Sequence, residues 1–116
     1  MRKEDCLFCK IVAGEIPSTK VYEDDDVLAF EDVNPMMPCH TLIVPKCHYD
    51  NLADDIPADE LGKLFSAVKK VAEAKGVAES GFRIVVNNGD DAQQVVRHVH
   101  VHVLGGAPMN SGDPSK

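Results

Sequence analysis

The clearest regularity in the chain is a run of apolar residues at helical spacing in its second half. Between residues 57 and 75 the apolar positions recur every three or four residues, at Leu61, Leu64, Phe65, Val68, Val71 and Ala72. This spacing places them on one face of a helix, and Pro57 suits the first turn while Gly76 suits the C-terminal stop. The pattern therefore predicts one long amphipathic helix over residues 57–75.

Shorter β-branched or alternating segments predict five strands around that helix. They cover residues 21–23 and 27–31, joined by an acidic turn at 24–26, and then residues 41–45, 82–88 and 98–106. Prolines and glycines separate several of them. A short helical turn is predicted over residues 4–13, and residues 107–116 form an irregular tail. Strands joined by short turns around a single long helix predict an α+β fold with an antiparallel sheet.

Length and composition predict a single domain. We place it over residues 1–116, with its core between residues 6 and 106. The 116 residues are 44% hydrophobic, and no apolar run approaches the roughly 20 residues that span a bilayer. The first ten residues are charged and cysteine-bearing where a secretion signal would be apolar. We therefore expect a cytoplasmic protein without a membrane partner. The net charge of -7 weighs against binding to nucleic acid, although a local site for a small anion is compatible with it.

Three of the five histidines occupy alternate positions in the segment "HVHVHVL". Side chains alternate between the two faces of a strand, so His98, His100 and His102 share one face and valines fill the other. Each imidazole has two nitrogens that need partners when buried, which makes such a row unsuited to packing alone. The alternative is a half-exposed polar face without a chemical role. The pattern favours chemistry, as either a metal site or an imidazole nucleophile.

The cysteines add a candidate metal site. Cys6 and Cys9, in "CLFC", have the two-residue spacing of structural zinc sites, which need two further ligands. His48 and one histidine of the row, His98, are candidates, while Cys39 and Cys47 are alternatives. Cys6 and Cys9 are also compatible with a redox pair or with ordinary buried thiols. Metal is preferred, because cytosolic cysteines seldom form disulfide frameworks.

The nucleophile hypothesis concerns His100. A neutral imidazole can attack phosphorus and form a covalent intermediate, provided that a carbonyl or carboxylate orients its other ring nitrogen. Neighbouring donors must then neutralise the phosphate oxygens. The available groups are His102, His40, Asn87, Gln94 and the backbone amides of residues 92–95.

On these residues the chain resembles the histidine triad family, whose signature is His-φ-His-φ-His-φ-φ with φ apolar. The landmarks "CLFCKIVAGEIPSTKVYEDDDVLAFEDVNP", "CHTLIVPKCH" and "FRIVVNNG" extend the resemblance over residues 6–106. The chain is similar to the branch that hydrolyses purine nucleoside 5'-phosphoramidates. The resemblance implies that His100 becomes nucleotidylated with support from His102 and His40. It also implies a homodimer in which two sheets join.

The resemblance further implies a set of nucleotide contacts. Asp32 matches the residue that binds the ribose hydroxyls, and Asn87 matches a phosphate-side contact. The apolar base pocket corresponds to Phe8, Ile11, Phe30, Val33 and Leu42. From the residues alone, Asp32 is equally compatible with a cap on the turn at "NP", and the apolar residues with a core.

Bacterial members of the family with an N-terminal CxxC are similar in their zinc site. The resemblance implies zinc ligation by Cys6, Cys9, His48 and His98. A closed tetrahedral site has no open position for a water nucleophile, so this zinc is expected to be structural.

The chain departs from the family before the triad. The usual Gly-Gln-Ser is replaced by Gln93, Gln94 and Val95, which removes a hydroxyl that holds phosphate. Loss of one such donor can slow a reaction by on the order of 100-fold, and a side chain at Gln93 restricts the approach of the backbone to phosphate. One alternative follows from this replacement, a zinc-stabilised nucleotide-binding protein with weak or no catalysis. A further alternative within the family is a dinucleoside polyphosphate hydrolase.

Overall fold

The computed structural model describes residues 3–109, which form two helices and one five-stranded sheet. The elements are α1 (Leu7–Val12), β1 (Lys20–Glu23), β2 (Val27–Glu31), β3 (Cys39–Pro45), α2 (Ala58–Ala74), β4 (Phe82–Val85) and β5 (Val101–Gly105). All neighbouring strands are antiparallel, in the order β1-β2-β3-β5-β4. The predicted α+β fold is therefore confirmed. Of the predicted irregular tail, residues 110–116 lie outside the described residues.

The long helix begins and ends where its local sequence signals are. Pro57 is the N-cap residue, and the acidic Asp59 and Glu60 follow in the first turn, where the helix dipole favours negative charge. At the other end Gly76 adopts a φ of 72°. The Gly76 N–H donates to the Glu73 carbonyl and the Val77 N–H to the Ala72 carbonyl, which is the Schellman pattern of helix termination.

Three elements are shorter in the structure than the sequence predicted. The structure limits α1 to six residues rather than 4–13, ends β4 at Val85 rather than residue 88, and begins β5 at Val101 rather than residue 98. For β5 the reason is a change of partner, because the Val99 N–H donates to the Tyr49 carbonyl at 2.7 Å instead of pairing with β3. The alternation continues before the strand nevertheless, since Val99 is buried in the same cluster as Val101 and Val103.

The sheet separates two apolar layers. On one face α2 packs Leu64, Ala67 and Val71 against the strands. On the other face Phe8 and Ile11 of α1 pack against residues of β2 and β3. Because α1 is short, part of this second face remains open beside it. Within residues 3–109, neither helix is long and apolar enough to cross a membrane.

Candidate functional site

A cavity of about 870 Å³ lies on the α1 side of the sheet. It gathers ten of the residues predicted for catalysis and nucleotide binding. These are Phe8, Ile11, Phe30, Asp32, Val33, Leu42, Asn87, Gln94, His100 and His102. The cavity also contains Ile16 and Thr19, which the sequence analysis missed. The available signal was the lone apolar residue in the polar loop "GEIPSTK", which returns toward the sheet after α1.

The floor of the cavity is apolar. Phe8, Ile11, Phe30 and Leu42 are all buried, and the Phe8 and Phe30 rings meet edge to face with centroids 5.4 Å apart. Val33 lies at the rim, where 90% of its surface is exposed. The floor therefore suits a flat apolar group, and Val33 could contact such a group only at its outer edge.

Hydrogen bonding determines which nitrogen of His100 is free. Its Nδ1 lies 2.7 Å from the backbone carbonyl of His98. A carbonyl only accepts, so Nδ1 carries the proton and Nε2 keeps its lone pair. Burial lowers the pKa of His100, which favours the neutral ring. His100 thus has the protonation state that a nucleophile requires.

His40 and His102 form a chain of hydrogen bonds that begins at the backbone. The Met36 N–H donates to His40 Nδ1 at 3.0 Å, so the proton of the neutral His40 ring is on Nε2. That nitrogen lies 2.9 Å from His102 Nδ1, which must then accept. His102 consequently carries its proton on Nε2, a buried atom without a hydrogen-bond partner among residues 3–109. Burial lowers the pKa of His40 and holds that of His102 at about 4, so both rings are neutral near pH 7.

The position of Asp32 is compatible with both roles considered for it, a cap on the turn and a contact in the cavity. Its Oδ1 accepts from the Asn34 N–H at 2.8 Å, which caps the turn, and the residue also lines the cavity. Its Oδ2 is 3.3 Å from His40 Nε2. Asp32, His40 and His102 are close enough together to hold an ion. The proton that Met36 assigns to His40 Nε2 makes this nitrogen a donor rather than a metal ligand.

The segment before the triad forms one rim of the cavity, and it is the segment for which the sequence predicted contacts with phosphate. Val95 is 89% exposed there. Gln93 adopts a φ of 61°, the single positive value among the non-glycine residues described, and glycine is the residue that adopts this conformation without steric cost. Gln94 lines the cavity, but it is 95% buried and its amide is engaged by backbone groups. Of the three side chains, Val95 and Gln93 are therefore the ones that face solvent.

Four side chains converge behind the cavity. Ligand atoms of Cys6, Cys9, His48 and His98 all lie within 4.8 Å of one another. The Nδ1 of His98 is 3.4 Å from Cys6 Sγ and 3.5 Å from Cys9 Sγ, and the Nδ1 of His48 is 3.3 Å from Cys9 Sγ. Ligand atoms around a tetrahedral zinc are roughly 3.4–3.8 Å apart, given its bond lengths.

The protonation of this cluster also suits a metal ion. His98 donates from Nε2 to the Pro45 carbonyl at 2.8 Å, and His48 donates from Nε2 to the Asp50 carboxylate at 2.7 Å. Both Nδ1 lone pairs therefore point at the cysteines, with outer partners of the kind that metal-bound histidines usually have. Burial lowers the pKa of His98 to about 4, which keeps the ring in its metal-binding form. The donor set fits a closed Cys2His2 zinc site.

The alternative ligands do not belong to this cluster. The Cys39 thiol contacts the Val103 carbonyl and is buried with Ala72 and Val77. Cys47 precedes His48 but is absent from the group of converging ligands within residues 3–109. All four cysteines lie within residues 3–109, and none of them forms a disulfide there. The interpretation of Cys39 or Cys47 as a substitute ligand is therefore wrong.

The chain is similar to known proteins in both sequence and structure. Residues 13–109 match the HIT domain. A 14 kDa zinc-binding protein of Brassica juncea is 49% identical over 111 residues, which cover 91% of this chain and 96% of that protein. The purine nucleoside phosphoramidase of Escherichia coli strain K12 is 40% identical over 109 residues, 91% of each chain. The solved structure of a histidine triad protein from Clostridium difficile is 49% identical and superposes with a TM-score of 0.90 over 97% of this chain and 100% of its own. In sequence and in fold, this chain belongs to the HIT domain family.

Proposed function

We propose that this protein hydrolyses the P–N bond of purine nucleoside 5'-phosphoramidates through a nucleotide covalently bound to His100. The observation that carries the proposal is the protonation pattern of the cavity. Within residues 3–109, the unprotonated nitrogen of His100 is Nε2 and the Nε2–H of the neighbouring His102 has no hydrogen-bond partner, and the two ring centroids are 4.9 Å apart. A nucleophile and a hydrogen-bond donor for the reacting phosphate are therefore placed side by side.

In the proposed reaction His100 Nε2 attacks the α-phosphorus and forms a P–N bond to the enzyme. The bond from phosphorus to the substrate nitrogen breaks, the departing amine takes its proton from water, and the neutral His102 keeps its Nε2–H and donates it as a hydrogen bond to the phosphate. Water then attacks the same phosphorus, the bond to His100 breaks, and the proton released by that water neutralises the hydroxide left by the first step. The carbonyl of His98 orients His100 throughout, because it holds the Nδ1 proton.

The rest of the cavity supports a nucleotide. The apolar floor of Phe8, Ile11, Phe30 and Leu42 suits a purine base, with Val33 at its edge. Asp32 would bind the ribose hydroxyls, and Asn87 together with the backbone of residues 92–95 would bind the phosphate. Cys6, Cys9, His48 and His98 would hold a structural zinc ion, which when bound joins α1 to the segment that carries the nucleophile.

The first experiment is a steady-state assay with a fluorogenic adenosine phosphoramidate on the native protein and on His100→Ala. We expect kcat/KM to fall at least about 1000-fold in the variant, while AMP binding measured by calorimetry is retained. Mass spectrometry of the native protein quenched during turnover should detect an added adenylyl group on His100. Turnover that persists in His100→Ala, or a steady state without the adduct, would exclude the mechanism.

A second candidate, a nucleotide-binding protein with little catalysis, is favoured by the exposed Val95 at the rim. The discriminating variant is Val95→Ser, because it returns a hydroxyl to the phosphate side. We expect it to raise kcat by about 10- to 100-fold, whereas Val95→Ala, which removes bulk without adding a donor, leaves kcat near the native value. AMP binding without turnover in the native protein and in Val95→Ser would support the second candidate. The remaining alternative is a dinucleoside polyphosphate hydrolase. Competition between phosphoramidate and dinucleoside polyphosphate substrates distinguishes it from the proposed phosphoramidase.

A homodimer is also part of the proposal. Strand β4 pairs with β5 on one side and is the last strand of the sheet. Its outward side chains include Phe82 and Ile84, which are 38% and 41% exposed. An edge strand with exposed apolar side chains is a surface that a second copy could extend by further pairing.

A further inference from the structure

We propose that Gln94 is a positioning residue that couples the metal cluster to the phosphate-side rim of the cavity. The metal cluster is the group of four converging ligand side chains, Cys6, Cys9, His48 and His98. The inference rests on the proposed function only for the identity of what the rim binds. In this account Gln94 does not contact the phosphate through its own amide. It holds the rim, residues 89–96, in register with the loop that carries the metal ligand His48.

The side chain of Gln94 binds three backbone groups, two in the rim and one in the segment around Asp50. Its Oε1 accepts from the Gly89 N–H at 2.9 Å. Its Nε2 donates to the Asp50 carbonyl at 2.6 Å and to the Val96 carbonyl at 3.1 Å. Gly89 and Val96 lie at the two ends of the rim. The side-chain amide, together with the backbone N–H of Gln94 that donates to the Gly89 carbonyl at 3.1 Å, closes the rim into a loop. The same amide attaches the rim to the segment around Asp50.

The orientation of the amide follows from its neighbours. A backbone N–H can meet only the oxygen, and two carbonyls can meet only the NH2 group, so a flipped amide would lose all three bonds. Gln94 is 5% exposed, and a buried amide without its partners is costly. The side chain is therefore held in one arrangement, as a cross-link must be.

The segment at the other end of the cross-link belongs to the metal cluster. The Asp50 carboxylate accepts from His48 Nε2 at 2.7 Å, while the Asp50 carbonyl accepts from Gln94. The position of His48 thus determines where the Asp50 carbonyl lies. A metal ion that fixes His48 also limits the motion of Asp50, and through Gln94 the motion of residues 89–96.

This connection predicts that metal binding orders the rim, and that by linkage a ligand on the rim strengthens metal binding by the same factor. A second connection exists through the chain itself, because His98 follows the rim directly in sequence. The test must therefore separate the side-chain cross-link from the direct effect of His98.

The experiment is hydrogen–deuterium exchange of the zinc-loaded and chelator-treated protein, without nucleotide. In the native protein we expect zinc to slow exchange in residues 89–96 by at least about tenfold. Gln94→Met keeps the length of the side chain but removes its three bonds to the backbone and the longer contacts of its Oε1 with Asn51 and Arg97, so zinc should alter exchange there by less than twofold. Gln93→Met makes the same chemical change one residue earlier, on an exposed side chain, and should keep the native response. Protection of β3 in every sample shows that the fold is intact.

Gln94→Glu serves as a second variant, since it preserves size and the acceptor for Gly89 while losing the donors to Asp50 and Val96. The same loss of response is expected. A native rim that does not respond to zinc, or a response in Gln94→Met and Gln94→Glu equal to that of Gln93→Met, would overturn the inference. Inactivity toward phosphoramidates would overturn the proposed function and leave this exchange result unaffected, so the two failures are distinguishable.

Calorimetry gives an independent readout. Zinc should tighten AMP binding by about fivefold or more in the native protein, within the usual range of coupling between two sites. In Gln94→Met the factor should fall below two. An equal factor in both proteins would contradict the role of Gln94.

Discussion

At the scale of single residues, the chemistry of this protein depends on which ring nitrogen of each histidine carries the proton. Carbonyls assign the protons of His98 and His100, and the Asp50 carboxylate assigns that of His48. The Met36 N–H fixes the proton of His40 on Nε2, and His40 in turn fixes the proton of His102 on its Nε2. The histidines were recognisable in the sequence, but these partners were not, because the Pro45 carbonyl lies 53 positions away from His98 in the chain.

One prediction at this scale concerns acid stability. Burial lowers the pKa of His102 from 6.5 to about 4, so between those pH values the unfolded chain binds a proton that the folded ring does not. The free energy of unfolding contributed by this residue therefore falls as the pH decreases from 6.5 to 4, by at most about 1.4 kcal/mol per pH unit, and is constant above about pH 7.5.

The measurement is urea unfolding of the native protein and of His102→Gln, in which the residue cannot titrate. The difference in unfolding free energy between the two proteins should be constant above pH 7.5. Below pH 6.5 the unfolding free energy of the native protein should decrease relative to that of His102→Gln. Parallel curves for the two proteins down to pH 4 would show that His102 does not have the expected pKa.

At the scale of elements, the sequence predicted those whose signals are local and misplaced those whose ends depend on distant partners. The apolar period, Pro57 and Gly76 define α2 within its own sequence. The start of β5 depends on Tyr49, which withdraws the Val99 N–H from the sheet. Helix α1 depends on its surroundings throughout, because six residues are too few for a helix that is stable alone.

The second prediction is that removing metal destabilises α1. Cys6 and Cys9 connect this helix to His48 and His98, and Phe8 and Ile11 form part of the cavity floor. Chelation should lower Tm by roughly 10 °C or more, as expected when a tightly bound ion is lost. It should also weaken AMP binding. The measurements are calorimetric unfolding scans and AMP titrations with and without chelator.

Matched variants identify the source of the effect. Cys9→Ala should abolish the response of Tm to chelator. Cys39→Ala removes an equally buried thiol outside the metal cluster, so its Tm should still respond. A native Tm that is independent of chelator, or the same insensitivity in Cys39→Ala, would contradict a structural metal at this site.

At the scale of the whole molecule, the sheet has two ends, β1 and β4. α2 makes contacts with β1, β2, β3 and β5, and β4 presents Phe82 and Ile84 to solvent. The apolar surface of an isolated chain is thus concentrated at one end of the sheet as well as in the cavity. The resemblance implies a homodimer in which two sheets join, and this distribution makes β4 the edge that we propose for the pairing.

The third prediction is that the protein is a dimer that dissociates when β4 is charged. Ile84→Lys places a charge on the exposed edge, and we expect it to weaken self-association by at least about tenfold in sedimentation equilibrium. Leu52→Lys is the matched control, because Leu52 has a similar exposure of 38% but lies outside β4. A monomeric native protein at micromolar concentration, or equal dissociation in both variants, would exclude this interface.

The sequence by itself determined the features that depend on neighbours along the chain. The period of α2, the alternation of the triad around Val99, Val101 and Val103, and the spacing of Cys6 and Cys9 are all local patterns. They were sufficient to predict the fold class and to mark the triad and the cysteine pair as candidate chemistry. The residues of the apolar floor and Asp32 came from the resemblance to the family, which rests on longer stretches of the sequence.

Only the tertiary structure decided what those residues do to one another. The free nitrogen of His100, the donor on His102 and the cross-link through Gln94 each depend on hydrogen-bond partners from other segments. The exclusion of Cys39 from the metal cluster likewise follows from its place in the sheet, beside Val103. The physical reason is that a side chain's protonation and orientation are set by the groups that surround it after folding, whereas periodicity is set before folding by the order of residues.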